Sequence, residues 1–144
     1  MPAELCWVSN DETGAKEKII PGELRQRLVK VGVHIPPAAK HLPAFLQRFN
    51  AFYDLDKKHG IEGLMLAGAA HHRLAWIHPF IDGNGRVARL FTDAYLVASG
   101  VNGYGLWNVS RGLARDVGQY RSLLAAADSP RLGDVDGRGN LAGL

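Results

Sequence analysis

The sequence predicts an all-α domain, a small helical bundle carrying a short β-hairpin. Apolar residues recur every three or four positions through several long stretches, as in helices that bury one face. Strict alternation holds over one short stretch only, from Val29 to Ile35. A chain of 144 residues is also the size of one ordinary domain, so a single core is expected.

Residues 1 to about 26 lack a sustained period apart from the apolar patch Leu5–Val8. Gly14 and the Pro21-Gly22 pair punctuate them, and they read as loop with at most a short element. From there Val29, Val31, Val33 and Ile35 fall on one side and Lys30, Gly32 and His34 on the other. This is a strand or small hairpin turning near Gly32 and closed by Pro36 and Pro37, and it must lean on a larger body. Leu42, Phe45, Leu46, Phe49, Phe52 and Tyr53 then mark a helix whose aromatic stripe reads as core rather than ligand site.

A second helix runs from about Ile61 to Trp76 and is apolar over most of its circumference, which places it in the middle of the bundle. It must stop by Ile77 or His78, because Pro79 pushes the residue before it out of helical backbone angles. The third, roughly Arg86 to Ala98, offers Val87, Leu90, Phe91, Ala94 and Val97 or Ala98 as its buried side, with Arg86, Arg89 and Asp93 opposite. Past the turn signals Gly100, Asn102, Gly103 and Gly105, a fourth helix starts near Ser110 and carries Leu113, Val117, Tyr120 and Leu124. The glycine-rich run after Pro130 has no period and reads as a linker.

Composition narrows the function classes. Seventeen basic against fourteen acidic residues leave a formal charge of +3, too small and too interspersed for a nucleic-acid track. No uninterrupted apolar stretch reaches membrane-spanning length, since Ala67–Ala70 runs at once into His71, His72 and Arg73. Cys6 is the single cysteine, and Glu4, Asp11 and Glu12 occupy a start that lacks the basic character of a signal peptide. A cytoplasmic protein with no nucleic-acid or membrane partner is the expectation.

The segment His78 to Arg89 carries the chemistry. A helix amino terminus behind a glycine loop has unpaired N–H groups and a positive end, which is an anion site before any side chain is counted. Gly83 and Gly85 let the backbone approach a ligand, Asn84 adds an amide donor, and Arg86 and Arg89 supply guanidinium groups suited to phosphate oxygens. Asp82 suits Mg²⁺, which commonly takes one protein carboxylate and completes its shell with water and phosphates; the alternative is that Asp82 caps the following helix. His78, held at a helix end by Pro79, suits a general base.

Competing motifs fail on context. Gly83–Ala88 fits a dinucleotide fingerprint formally, but no strand precedes it, and the phosphate loop of triphosphatases would need Gly-Lys followed by Ser or Thr. Asp134–Asn140 begins like a calcium loop, yet its glycine is misplaced and the closing glutamate is absent. His71 and His78 stand about 10 Å apart along a helix axis, too far to share a metal ion, so His71 or His72 is expected to hydrogen bond behind the loop. His34, His41 and His59 show no partner pattern above background.

His78 to Arg89 also resembles the signature of the Fic family, His-Pro-Phe-x-Asp/Glu-Gly-Asn-Gly-Arg-x-x-Arg, meeting every fixed position. The likeness extends upstream through Ala70–Ile77, and Pro21, Gly22 and Arg25 followed by the ribbon and Pro36-Pro37 resemble the flap region of these proteins. It implies a Fic-type helical bundle over residues 15 to 128, between an irregular segment 1 to 14 and a linker-like tail 129 to 144. It further implies transfer of AMP from ATP to a side-chain hydroxyl of a protein, with release of pyrophosphate. His78 would be the base, Phe80 with Pro79 the structural support of the loop, and Asp82 the Mg²⁺ ligand. Gly83, Asn84 and Gly85 would form the anion cradle, with Asn84 on the α-phosphate and Arg86 and Arg89 on the distal phosphates. Val29, Lys30, Val31, Gly32 and Val33 would form the flap that aligns a target peptide by backbone pairing.

The same loop could transfer another phosphate-containing group or remove AMP, and a non-catalytic nucleotide-binding module is a further alternative. Many relatives carry an inhibitory Ser/Thr-x-x-x-Glu-Gly/Asn helix, which neither Ser9–Thr13 nor Ser129–Gly133 fits. That element is then missing from this stretch of chain, supplied by a separate protein, or absent altogether. Asp134–Leu141 resembles the linker before extra segments in longer relatives, as in an excised core or truncated copy.

Overall fold

A computed structural model describes residues 6–9, 14–54, 60–101 and 103–129. His59, the calcium-like run 134–140, and all but residue 129 of the predicted tail lie outside them. So do positions 10–13 and 130–133, within the two stretches compared with an inhibitory helix.

Five helices and one small sheet make up these residues, as the all-α reading with a hairpin predicts. The sheet is not where alternation placed it. Strands β1 (Trp7–Ser9) and β2 (Lys16–Lys18) pair antiparallel, with Val8 opposite Glu17, in the segment read as loop. The alternating stretch 29–35 instead makes a tight turn in which Val31 and His34 exchange both backbone hydrogen bonds at 3.0 Å. Gly32 takes φ +61 at the first central position while Val33 stays at negative φ, the arrangement of a II′ hairpin turn. Pro36 and Pro37 have no N–H to extend the ladder, so it stops at one pair.

Helix α1 (Leu42–Phe52) follows a short 3₁₀ turn and has proline in its first turn, where a missing N–H costs nothing. Most of its stripe packs inward: Leu42 is buried, Phe45 meets Trp76 edge-on at 5.6 Å and Phe49 meets Phe91 at 5.3 Å, whereas Phe52 is 62% exposed. Helix α2 (Ile61–Ile77) packs against α1, α3 and α5, so it is central as predicted. Only one face is buried, however, and Ile61, Leu64 and Met65 in its first turns are exposed.

Helix α3 (Asn84–Ala98) starts two residues earlier than its apolar pattern suggested and buries a different stripe. Asn84, Ala88, Thr92, Tyr95 and Leu96 face inward, while Leu90 is 68% exposed and Val97 53% exposed. Small Ala67 and Ala70 on α2 and Ala88 on α3 are all buried, which suits close approach of the two backbones. Ranking by hydrophobicity picks the larger outward residues instead. Tyr95 and Leu96 form the core with Ala67, flanked by Tyr53, Leu66, Phe91, Val101 and Val109.

The predicted fourth helix is two. Helix α4 (Val109–Ala114) is capped by Asn108, whose side chain accepts the Arg111 N–H, and Asp93 accepts the Val109 N–H; both bonds are 2.8 Å. Asp116 then caps α5 (Val117–Asp128) by accepting the Gln119 N–H. A carboxylate at that position offers the backbone a fresh start, which breaks a continuous helix. Helix α5 packs back on α2 and α4. No described helix is long and apolar enough to cross a membrane.

Candidate active site

The loop between α2 and α3 holds the predicted residues, and its shape follows from three local devices. Helix α2 ends at His78, which adopts a left-handed conformation (φ 49, ψ 61) while its N–H bonds back to Leu74 at 3.1 Å. Pro79, fully buried, takes the chain out of the helix. The side chain of Asn84 then closes the loop on the main chain of half-buried Phe80: its Oδ1 accepts the Phe80 N–H at 2.9 Å and its Nδ2 donates to the Phe80 carbonyl at 2.8 Å. Asn84 is only 5% exposed, so its amide is spent on shaping the loop rather than held out toward solvent.

Gly83 is the third device. It stands at the head of α3 with φ 83 and provides no side-chain cap, and the first intrahelical bond is Val87 N–H to the Gly83 carbonyl. The N–H groups of Asn84, Gly85 and Arg86 precede any helical acceptor, and the helix dipole is positive there. Asp82 does not cap the helix; its half-exposed carboxylate pairs with Arg86 at 3.0 Å. A Cβ at Gly83 would stand 3.3 Å from the Arg86 guanidinium, and one at Gly85 would stand 3.3 Å from that of Arg89. The two glycines therefore let the arginines fold over the loop from both sides.

Protonation of His78 is set by its neighbours. Nδ1 lies 3.3 Å from the Ala75 carbonyl, which can only accept, so Nδ1 carries the hydrogen and Nε2 is left with a lone pair. Burial pushes its pKa down; the Ala75 bond and the Asp82 charge oppose this, while Arg25 and His34 add to it. The imidazole is accordingly neutral near pH 7.

Arg89 stands beside a second buried network. Thr92 Oγ1 donates to the Ala88 carbonyl at 2.7 Å, so it accepts from His71 Nδ1 at 2.8 Å. His71 Nε2 then accepts the Tyr120 hydroxyl at 2.9 Å; burial pushes the Tyr120 pKa up, and the nearby Arg89 guanidinium opposes this. The expectation that His71 or His72 bonds behind the loop holds for both, since His72 Nε2 donates to Asp128 at 2.8 Å. His34 is a correction: it donates to the Trp76 carbonyl at 2.8 Å and stands 4.0 Å from Asp128, tying the hairpin turn to α2 and α5.

Residues of the loop line two cavities. One, of about 980 Å³, has His78, Asn84 and Gly85 on one wall, Val31, Gly32 and Val33 on another, and α5 opposite. Val29 and Lys30 precede the turn and do not line it. The other, of about 600 Å³, takes in Phe80, Asp82, Gly83 and Arg86 with Ile20 and Leu24. A single half-exposed carboxylate, Asp82, whose paired Arg86 is itself exposed, fits a hydrated divalent cation shared with phosphates; no group of three or more metal-ligating side chains occurs among the described residues. Sequence reasoning placed Arg25 in the flap region without its bonds to the loop, and missed Tyr120 as part of the site. Only the placement of Arg25 after Pro21-Gly22 and of Tyr120 on a helix signalled them.

Relatives point the same way. A sequence profile described as the Fic/DOC family matches residues 8–96. A protein from Drosophila mojavensis called Protein adenylyltransferase Fic is 38% identical over 87 residues, covering 60% of this chain and 17% of that protein. Its namesake in Drosophila virilis is 37% identical over 87 residues, covering 60% and 18%. A solved structure of a Fic domain containing signaling protein from Bacteroides thetaiotaomicron VPI-5482 superposes with a TM-score of 0.59 at 29% identity, over 76% of this chain and 41% of that one. The chain thus spans under a fifth of the length of these Drosophila proteins.

Proposed function

The chain belongs to the Fic/DOC family, and from that premise we propose that it is a protein adenylyltransferase, moving AMP from ATP to a side-chain hydroxyl of a target protein with release of pyrophosphate. One observation carries the reading above all: a neutral imidazole with a bare Nε2 shares a cavity with the unpaired amino-terminal end of α3. A base and a phosphate cradle in one enclosure are what in-line transfer to a hydroxyl needs.

In the proposed reaction the target hydroxyl gives its proton to His78 Nε2 as its oxygen attacks the α-phosphorus. The bond from that phosphorus to the bridging oxygen breaks, and pyrophosphate leaves. N–H groups at the head of α3 stabilise charge on the α-phosphate, and Arg86 and Arg89 hold the distal phosphates. Asn84 serves here by shaping the cradle through Phe80. Asp82 would hold Mg²⁺, which when bound supplies charge neutralisation to the polyphosphate. Gly32 and Val33, exposed on the turn, would pair with target backbone, Val31 having given its own N–H and carbonyl to His34; Val33 is 92% exposed. An inhibitory glutamate from a separate protein would find Arg89.

The test is incubation of the purified chain with lysate and each of the four nucleoside triphosphates labelled on the α-phosphate, read by mass spectrometry. AMP should appear on Ser, Thr or Tyr side chains. His78→Ala should lose labelling by about 10²–10⁴-fold while still binding ATP in a thermal shift. Absence of incorporation from all four nucleotides, or full labelling by the His78 variant, would sink the reading.

A further inference from the structure

Arg25 is the largest of the fully buried side chains, only 2% exposed, and among the described residues no carboxylate pairs with it. A buried cation without a counter-charge is costly unless every donor is satisfied. Here main-chain carbonyls accept from four of its five N–H groups. Nε donates to His78 at 2.7 Å, one terminal nitrogen to Arg27 at 2.9 Å, and the other to Pro37 and, at 3.4 Å, to Ile77. The Arg25 N–H itself bonds to the Pro79 carbonyl at 2.9 Å.

The geometry of these bonds has a direction. Ile77 and His78 are the last carbonyls of α2, which lack intrahelical partners and carry the negative end of the dipole, so a guanidinium there replaces a conventional helix cap. Pro37 lies at the foot of the hairpin turn that walls the cavity. One planar group with donors in a fixed fork therefore holds both the left-handed His78 and the base of the flap. Lysine, a point charge on a flexible stem, cannot reproduce that fork.

We propose that Arg25 is a positioning residue that fixes the main chain of His78 relative to the flap, and through it the aim of the imidazole at the acceptor hydroxyl. The effect on catalysis rests on the adenylyl-transfer reading; the effect on the imidazole does not. Misplacement of a reacting group by about 1 Å costs on the order of 10²-fold in rate. The role differs from that of the arginines on α3, which would hold phosphate.

The experiment compares Arg25→Lys and Arg25→Ala with the unaltered protein by circular dichroism, ATP binding, transfer kinetics and ¹⁵N spectra of the His78 ring. In the unaltered protein the ring should hold a single neutral tautomer with hydrogen on Nδ1. Arg25→Lys should stay folded and bind ATP within about twofold, yet show mixed tautomers and a kcat lower by about tenfold or more with little change in KM. Arg25→Ala should show the larger loss of both. If the unaltered protein transfers nothing, the tautomer comparison still decides the positioning role while the adenylyl-transfer reading falls. Unchanged ring spectra in a folded Arg25→Lys protein would overturn the proposal, as would an Arg25→Lys protein that fails to fold, since Arg25 would then act on stability alone.

Discussion

Tyr120 donates its hydroxyl hydrogen to Nε2 of His71 across 2.9 Å, joining α5 to α2 behind the anion loop. The direction is fixed at the far end, where Thr92 gives its own hydrogen to Ala88 and must accept from His71. The Arg89 guanidinium stands near enough to oppose the rise that burial gives the Tyr120 pKa. Tyr120→Phe should thus leave His71 short of a partner, costing about 1 kcal/mol of stability, and, by removing the hydroxyl beside Arg89, weaken triphosphate binding several-fold. Thermal shifts with and without ATP would show it, and an unaltered ATP affinity would remove Tyr120 from the support of Arg89.

Acid should destabilise the fold through His71 and His78. Burial holds both below the ordinary histidine value of 6.5, with Arg89 and His72 adding to the depression of His71. Unfolded, both take protons near 6.5, so the unfolded state binds more protons as pH falls through that value. Their contribution is therefore complete above about pH 6.5, is lost as pH drops toward the depressed folded values, and levels off below them. Denaturant melts between pH 5 and 8 should show this slope, reduced in His78→Ala; stability that holds flat or rises on acidification would contradict the assignment.

Gly83→Ala and Gly85→Ala should part company. Gly83 sits at φ 83, so alanine there is strained by about 1–2 kcal/mol and also crowds Arg86. Gly85 has helical geometry, and alanine gains up to about 1 kcal/mol of helix propensity, but its Cβ meets the movable Arg89 guanidinium at 3.3 Å. Gly85→Ala should keep or raise the melting temperature while lowering ATP affinity. Retained affinity would show that Arg89 need not lie over Gly85 to bind phosphate.

Asn84→Asp tests the loop closure. A carboxylate still accepts the Phe80 N–H but cannot donate to the Phe80 carbonyl, and it adds negative charge where phosphate is expected. Stability should fall by about 1–3 kcal/mol, as for a buried acceptor left unpaired, and ATP binding should weaken sharply. Wild-type melting behaviour would show that the ring through Phe80 does not hold the loop.

The sequence made the helical bundle and the loop legible because both write themselves in local code: apolar period, Pro79 as a stop, Gly83 and Gly85 as permits for close approach. The buried side of α3 was not, since a contact of small and polar residues such as Ala88 and Thr92 scores poorly beside Leu90 and Val97. Alternation from Val29 to Ile35 correctly signalled a turn near Gly32 but overstated its length, because two residues of the pattern are the turn itself. Asp116 reads as an ordinary surface acid until its bond to the Gln119 N–H shows where a new helix begins. Arg25 and Tyr120 act across the chain, on His78 and His71, and no local spacing encodes such partners.

The break at Asp116 carries a consequence for where this enzyme-like unit ends. The family profile stops at residue 96, and α5 lies wholly beyond it. Yet α5 brings Tyr120 to Arg89 and closes at Asp128 on His72 and the flap's His34. A minimal fragment trimmed to the recognised signature would retain every residue from His78 to Arg89 while losing one wall of the cavity that His78 lines. A fragment that keeps this wall extends at least to Asp128, whose carboxylate bonds His72 and stands 4.0 Å from His34.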